Sequence, residues 1–189
     1  MEDKISSAIK KHQAAAAALA ADTKSIRNLA EALIRTVRGG GKILICGNGG
    51  SAADAQHIAG ELVGRFKKER RAIAAVALTT DTSILTCLGN DYGFDLIFER
   101  QVEALGRPGD LLLAISTSGA SPNVLNAAIK ARELGLAVAG FFGRDGGPIL
   151  KHCDAAFLAP ETDTPRVQEM HILAAHIICE LVEDAVAAA

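Results

Sequence analysis

The apolar positions follow two rhythms that alternate along the chain. Residues 1–38 are dominated by Ala, Leu, Lys, Glu and Arg and read as helix, which Gly39-Gly40-Gly41 stops. A short run at 42–46, Lys42 followed by four apolar residues and bounded by glycines, predicts a buried strand. The turn Gly47-Asn48-Gly49-Gly50 follows, with Ser51 as the predicted N-cap of a helix to about residue 64. A second apolar run at 72–78 predicts a second strand. Helices are predicted over 81–88 and 94–105, around a loop at 89–93. Residues 110–115 and 136–142 predict strands three and four. Between them Ser121, as N-cap, and Pro122, as first helical residue, open a helix to about residue 134. A turn at 143–147, a weak fifth strand at 155–158 and a long helix from Thr164-Pro165 complete the pattern.

Strands that are apolar throughout and alternate with helices predict a parallel sheet covered on both faces. The expected fold is α/β: a three-layer sandwich with a five-stranded parallel sheet flanked by helices, and long N- and C-terminal helices. No repeat or linker interrupts 1–189, so one domain is expected, with 1–38 as a helical extension and 164–187 as the C-terminal helix.

Composition narrows the chemistry. With 49% hydrophobic residues in 189, the chain has apolar surface enough to offset its entropy, which excludes disorder. A chain of this size buries roughly 70% of its unfolded surface without needing disulfide or metal staples. The net charge of −2 carries no basic signature for nucleic acid. The absence of Trp and the single Tyr argue against stacking on bases or glycans. Cys46, Cys87, Cys153 and Cys179 form no C-x-x-C pair, so buried free thiols in a reducing cytosol are expected rather than a zinc ribbon or a disulfide scaffold. The alanine run 14–21 leads straight into charged helical sequence and is read as helix, not signal peptide. The uncharged stretch 111–129 is broken by hydroxyls and Ser-Pro, so no membrane span is expected there.

Ligands of open parallel sheets bind beyond the carboxyl ends of the strands. Two loops expected there are unusual, 47–51 and Ser116-Thr117-Ser118-Gly119-Ala120-Ser121. Each precedes a helix, offers free backbone N–H groups at the positive end of a helix dipole, and so suits an anion such as phosphate. A dinucleotide site fits less well. Gly47-x-Gly49-x-x-Ala52 matches the relaxed glycine pattern, but Lys67-Lys68-Glu69-Arg70-Arg71 stands where the acidic ribose partner belongs. His57 and Glu61, at i and i+4, share a helix face at the spacing of two metal ligands, an acid–base pair, or a plain surface contact. The last helix carries Gln168, Glu169, His171 and His176 among apolar residues, with His176 expected to be buried. Gln168 and His176 are separated by about 12 Å of rise and about 80° of rotation, so they meet one site only by leaning inward or by coming from different subunits.

Four stretches in order, CGNGGSAADAQHIAGELVGRF (46–66), LGNDYGF (88–94), GDLLLAISTSGASPNV (109–124) and RVQEMHILAAH (166–176), resemble the phosphosugar isomerase (SIS) superfamily, and within it the sedoheptulose 7-phosphate isomerases (phosphoheptose isomerases). The resemblance implies a cytoplasmic isomerase converting sedoheptulose 7-phosphate to D-glycero-D-manno-heptose 7-phosphate, the first step toward heptose for lipopolysaccharide or other glycans. By position it implies Ser51, Ser116, Thr117, Ser118 and Ser121 as phosphate and sugar contacts, with Asn48, Gly49, Gly50, Asn90, Asp91 and Gln168 as further substrate contacts. Glu61 matches the catalytic base and His176 its proton-transfer partner. His57, Glu61, Gln168 and His176 match the ligands of one zinc per subunit in zinc-binding members. It also implies a homotetramer with active sites between subunits, and no nucleic-acid or membrane partner. Ala52 and Ala53 depart from the bulkier polar residues of some members. A related adaptor that binds the replication initiator lacks the Glu and the final His, both present here as Glu61 and His176, and sugar-phosphate sensors carry a DNA-binding module for which this chain has no room.

Overall fold

A computed structural model describes residues 1–21, 23–143 and 145–187. Five parallel strands, β1 (Ile43–Gly47), β2 (Ala75–Ala77), β3 (Leu111–Ser116), β4 (Ala137–Gly143) and β5 (Ala155–Ala159), form one sheet in the order β2-β1-β3-β4-β5. Helices α1 (Glu2–Ala21), α2 (Lys24–Arg38), α3 (Gly50–Val63), α4 (Thr82–Asp91), α5 (Glu99–Leu105), α6 (Pro122–Glu133) and α7 (Thr164–Ala187) surround it.

Side chains alternate across each strand, so the sheet supplies two cores. Ile43, Ile45, Leu111, Leu113 and Phe141 face α2, α3 and α7. Leu44, Cys46, Leu112, Val138 and Phe142 face the layer of α5 and α6. The predicted three-layer α/β sandwich is what forms. Because β1 lies between β2 and β3, the loops after β1 and β3 diverge to opposite faces and open a crevice between them at the carboxyl edge.

Several local expectations change. The first 38 residues make two helices. A continuous one would run about 57 Å, against about 24 Å for five strands side by side. The α2 stripe Ile26, Leu29, Ala30, Leu33 and Val37 instead lies on the sheet, while α1 buries only Ala15 and Leu19. Residue 22 of the predicted first helix and residue 144 of the predicted 143–147 turn lie outside the described residues. The second strand is only three residues long, an edge strand pairing with β1 alone. Asp81 caps α4, accepting the Ile84 N–H at 2.9 Å, and α4 runs on to Asp91 through three of the residues read as a loop. The predicted helix 94–105 is a 3-10 turn (Phe94–Leu96) and then α5, and a second 3-10 segment (Gly147–His152) was not foreseen. Ser51 is inside α3, whose N-cap is Gly49. Among the described residues no helix is long and apolar enough to cross a membrane.

Candidate active site

Beyond the strand ends, the β3 loop gathers its hydroxyls. Ser116 is buried and its Oγ lies 3.0 Å from Ser121 Oγ and 3.5 Å from Ser118 Oγ. Ser121 stands at the N-cap of α6, but its hydroxyl turns to Ser116 rather than to the helix N–H groups. Those donors therefore remain directed outward, as an anion site requires. Gly119 holds the loop in the left-handed region at φ +64°, where an added β-carbon would meet the Gly146 carbonyl oxygen at 2.0 Å. Across the crevice, Asn48 and the buried Asn123 exchange two amide hydrogen bonds of 2.9 Å each, which ties the β1 loop to α6. Half of the Asn48 amide is thus engaged in bracing the loop. Ser51 is buried in the first turn of α3.

Helices α3 and α7 lie side by side and run in the same direction. Gln168 rests against Gly50 at the head of α3, where a β-carbon would meet its amide nitrogen at 2.2 Å. Farther along, His176 of α7 meets His57 of α3, their Nε2 atoms 3.2 Å apart. His57 Nε2 also lies 3.0 Å from Glu61 Oε1. One donor atom from each of His57, Glu61 and His176 falls within 4.8 Å of the others. A single chain therefore assembles this triad, and the angular offset of Gln168 from His176 is met by placing Gln168 elsewhere. About 10 Å of α3 rise separates Gly50 from His57, so Gln168 sits at the loop end. His176 is only partly buried; the enclosed histidine of α7 is His171, between Phe141 and Phe157. Burial there pushes the His171 pKa down to about 4.

Asn90 and Asp91 form the exposed end of α4. Asn90 Nδ2 donates to Asp91 at 2.7 Å, and the Cys87 thiol lies 3.6 Å from the other Asp91 oxygen. Among the described residues neither side chain bonds to either loop or to the triad. Sequence reading missed three contributors. Asn123 is one. Asp54, three residues before His57 on α3, has a buried Oδ2 without a partner; burial raises its pKa and His57 lowers it. Phe66 lays its ring 5.6 Å, centroid to centroid, from that of His176. Only Asp54 left a local trace, as a carboxylate one turn from His57.

Known proteins resemble this chain over most of its length. The SIS domain family matches residues 9–143. A phosphoheptose isomerase of Bradyrhizobium sp. (strain ORS 278) is 60% identical over 85% of this chain and 81% of its own length. One from Pelobacter propionicus is 54% identical over 98% of both chains. The solved structure of the phosphoheptose isomerase from Neisseria gonorrhoeae superposes with a TM-score of 0.92 at 43% identity, covering 97% of this chain and 98% of that one.

Proposed function

This chain belongs to the SIS-domain family, among its phosphoheptose isomerases, and from that premise we propose that it converts sedoheptulose 7-phosphate to D-glycero-D-manno-heptose 7-phosphate, supplying heptose for glycan assembly. The observation that carries the reading is the meeting of His57, Glu61 and His176, two of them on α3, the helix that opens at one of the two anion-suited loops. A substrate with phosphate at one end and its reacting carbonyl at the other matches a site whose anion loops and acid–base cluster are set apart.

In this reading the Ser116–Ser121 hydroxyls, Ser51 and the N–H groups opening α3 and α6 hold the phosphate, with Asn48, Gly49 and Gly50 lining the approach and Gln168 orienting the sugar at Gly50. Glu61 removes a proton from carbon 1 of the ketose, giving a cis-enediol, and the proton returns at carbon 2 to form the aldose. His176 carries a proton from the oxygen on carbon 1 to that on carbon 2. Asn90 and Asp91, exposed at the end of α4, contact substrate across a subunit boundary.

The triad fits a divalent metal. Donors of a four-coordinate zinc at about 2.0–2.2 Å stand about 3.3 Å from one another. The separations of 3.0 and 3.2 Å at His57 Nε2 are of that size. Two imidazoles and a carboxylate would hold zinc, and the fourth ligand, Gln168, would come from a neighbouring subunit, because within one chain Gln168 rests against Gly50 at the far end of α3. The ion would supply an electrophile for the oxyanion that develops on the substrate. Ligation also lowers the basicity of Glu61, so its two roles compete.

A homotetramer with active sites between subunits completes the proposal. Leu173, Ile177 and Leu181 leave an apolar stripe exposed along α7 beside His176, and Ile5 and Ile9 do so on α1. We place the enzyme in the cytoplasm, without nucleic-acid or membrane partners. The test is purified protein with sedoheptulose 7-phosphate, with and without chelator. Formation of heptose 7-phosphate supports the reading, and no product with or without added zinc overturns it. Sedimentation at about four times the 19.6 kDa chain mass supports the assembly, and a fully active monomer refutes it.

A further inference from the structure

At the far end of the α3–α7 pair lies a second, fully buried polar cluster. Glu183 of α7 is 1% exposed. Its Oε1 accepts the Phe66 N–H at 2.8 Å, and its Oε2 accepts those of Lys67 and Lys68 at 2.7 and 2.8 Å. Arg70 Nε stands 3.4 Å from the same carboxylate. The other guanidinium nitrogens close the end of α3. Nη2 donates to the Glu61 carbonyl at 2.7 Å, and Nη1 donates to those of Leu62 and Gly64 at 2.8 and 2.9 Å. These include carbonyls that a final helical turn leaves without partners. Burial alone would raise the Glu183 pKa; three main-chain donors and Arg70 outweigh it and hold the carboxyl below its ordinary value.

This cluster touches the triad from two sides. Arg70 grips the main chain of Glu61 itself. The turn that Glu183 pins carries Phe66, whose ring lies against His176. Between them sits the buried thiol of Cys179, whose pKa is pushed up to about 12 by burial first and by Glu61 and Glu183 as well, against a lowering by Arg70. The acid–base cluster and the ion pair thus share one wall.

We propose that Glu183 and Arg70 are positioning residues for the reaction: they lock the turn at 64–71, and through it fix the Glu61 main chain and seat Phe66 on the His176 ring. The inference rests on the reading of His57, Glu61 and His176 as the reacting cluster. Neither residue reaches substrate, and the phosphate loops lie at the other end of α3, so loss of the lock changes turnover and metal affinity rather than substrate capture.

The test compares Glu183→Gln, Arg70→Lys and Phe66→Leu with the wild type. Glu183→Gln keeps the shape but loses the charge. Its kcat is expected to fall about 10- to 100-fold, with zinc affinity of the metal-free protein weakened to a similar degree. KM for sedoheptulose 7-phosphate stays near wild type. Arg70→Lys keeps the charge but not the fork, so it does not rescue either quantity. Phe66→Leu leaves the ion pair intact and keeps an apolar side chain on a half-buried site, so it remains measurable even if the other two variants fail to fold. It is expected to shift kcat and zinc affinity in the same direction. Folded variants with wild-type kcat and zinc affinity, altered only in melting temperature, overturn the proposal. If the wild type itself does not isomerise the substrate, the functional reading falls, while the zinc titrations still decide whether this pair positions the triad.

Discussion

His57 Nε2 and His176 Nε2 stand 3.2 Å apart, although 119 residues separate them in the chain. Two imidazole nitrogens at that distance share one proton or one cation, because two N–H groups would repel and two lone pairs would as well. Glu61 Oε1, 3.0 Å from the same His57 nitrogen, adds a carboxylate oxygen to the pair. A divalent ion satisfies all three donors at once. His176→Ala is expected to weaken zinc binding by at least about 100-fold, since it removes one of the three close donors of the proposed metal site. Competition titration against a chromophoric chelator measures it, and unchanged affinity would remove His176 from the metal set.

Glu61→Gln keeps the size and the α3 environment of Glu61 but removes the carboxylate proposed to take the carbon 1 proton. Isomerisation is expected to fall by at least about 10²- to 10⁴-fold, the range of a general base. The circular dichroism spectrum and melting temperature should stay near wild type, because a quarter-exposed side chain contributes little to the core. Turnover at the wild-type rate would assign the base elsewhere.

Gly119→Ala introduces a β-carbon at φ +64° and 2.0 Å from the Gly146 carbonyl oxygen. The left-handed backbone costs about 1 kcal/mol and the forced shift of main chain about 1–3 kcal/mol more. Denaturant unfolding should show a loss of about 2–4 kcal/mol. KM for the sugar phosphate should rise as the hydroxyl loop moves. A fully stable variant with wild-type KM would show that the loop tolerates the change.

His171 gives the protein a pH signature independent of the reaction. Its folded pKa of about 4 lies below the ordinary 6.5 because burial disfavours the imidazolium. The unfolded chain therefore binds more protons between the two values, and stability falls as pH drops through that window. The contribution is on the order of 3 kcal/mol in total. Denaturant unfolding of the wild type between pH 6.5 and 4.5 should show this loss. His171→Leu, which removes a titrating ring from an apolar pocket, should lose much of the slope. An equal slope in both proteins would place the acid sensitivity on other groups.

Much of the architecture was legible in the chain because it is written in local patterns. Apolar runs such as 43–46 have no polar face and demand cover on both sides, so parallel strands between helices follow from sequence alone. The glycine and hydroxyl loops announce anion sites for the same local reason, and i, i+4 spacing places His57 beside Glu61. Where local signals gave way, tertiary packing was responsible. Asp91 is helical because the Asp81 cap starts α4 and the Gly93 turn ends it later than Gly89 suggested. The long first helix breaks so that the α2 stripe can reach the sheet.

What only the tertiary structure decided is which distant residues meet. The parallel packing of α3 and α7 brings His176 to His57, sets Gln168 against Gly50, and delivers Glu183 to the turn after α3. It also leaves His176, expected to be buried, only partly so, and encloses His171 instead. A helical repeat fixes relative angles along one helix but not the azimuth of that helix against its neighbours. The sheet core sets that azimuth, and with it which histidine of α7 meets the chemistry.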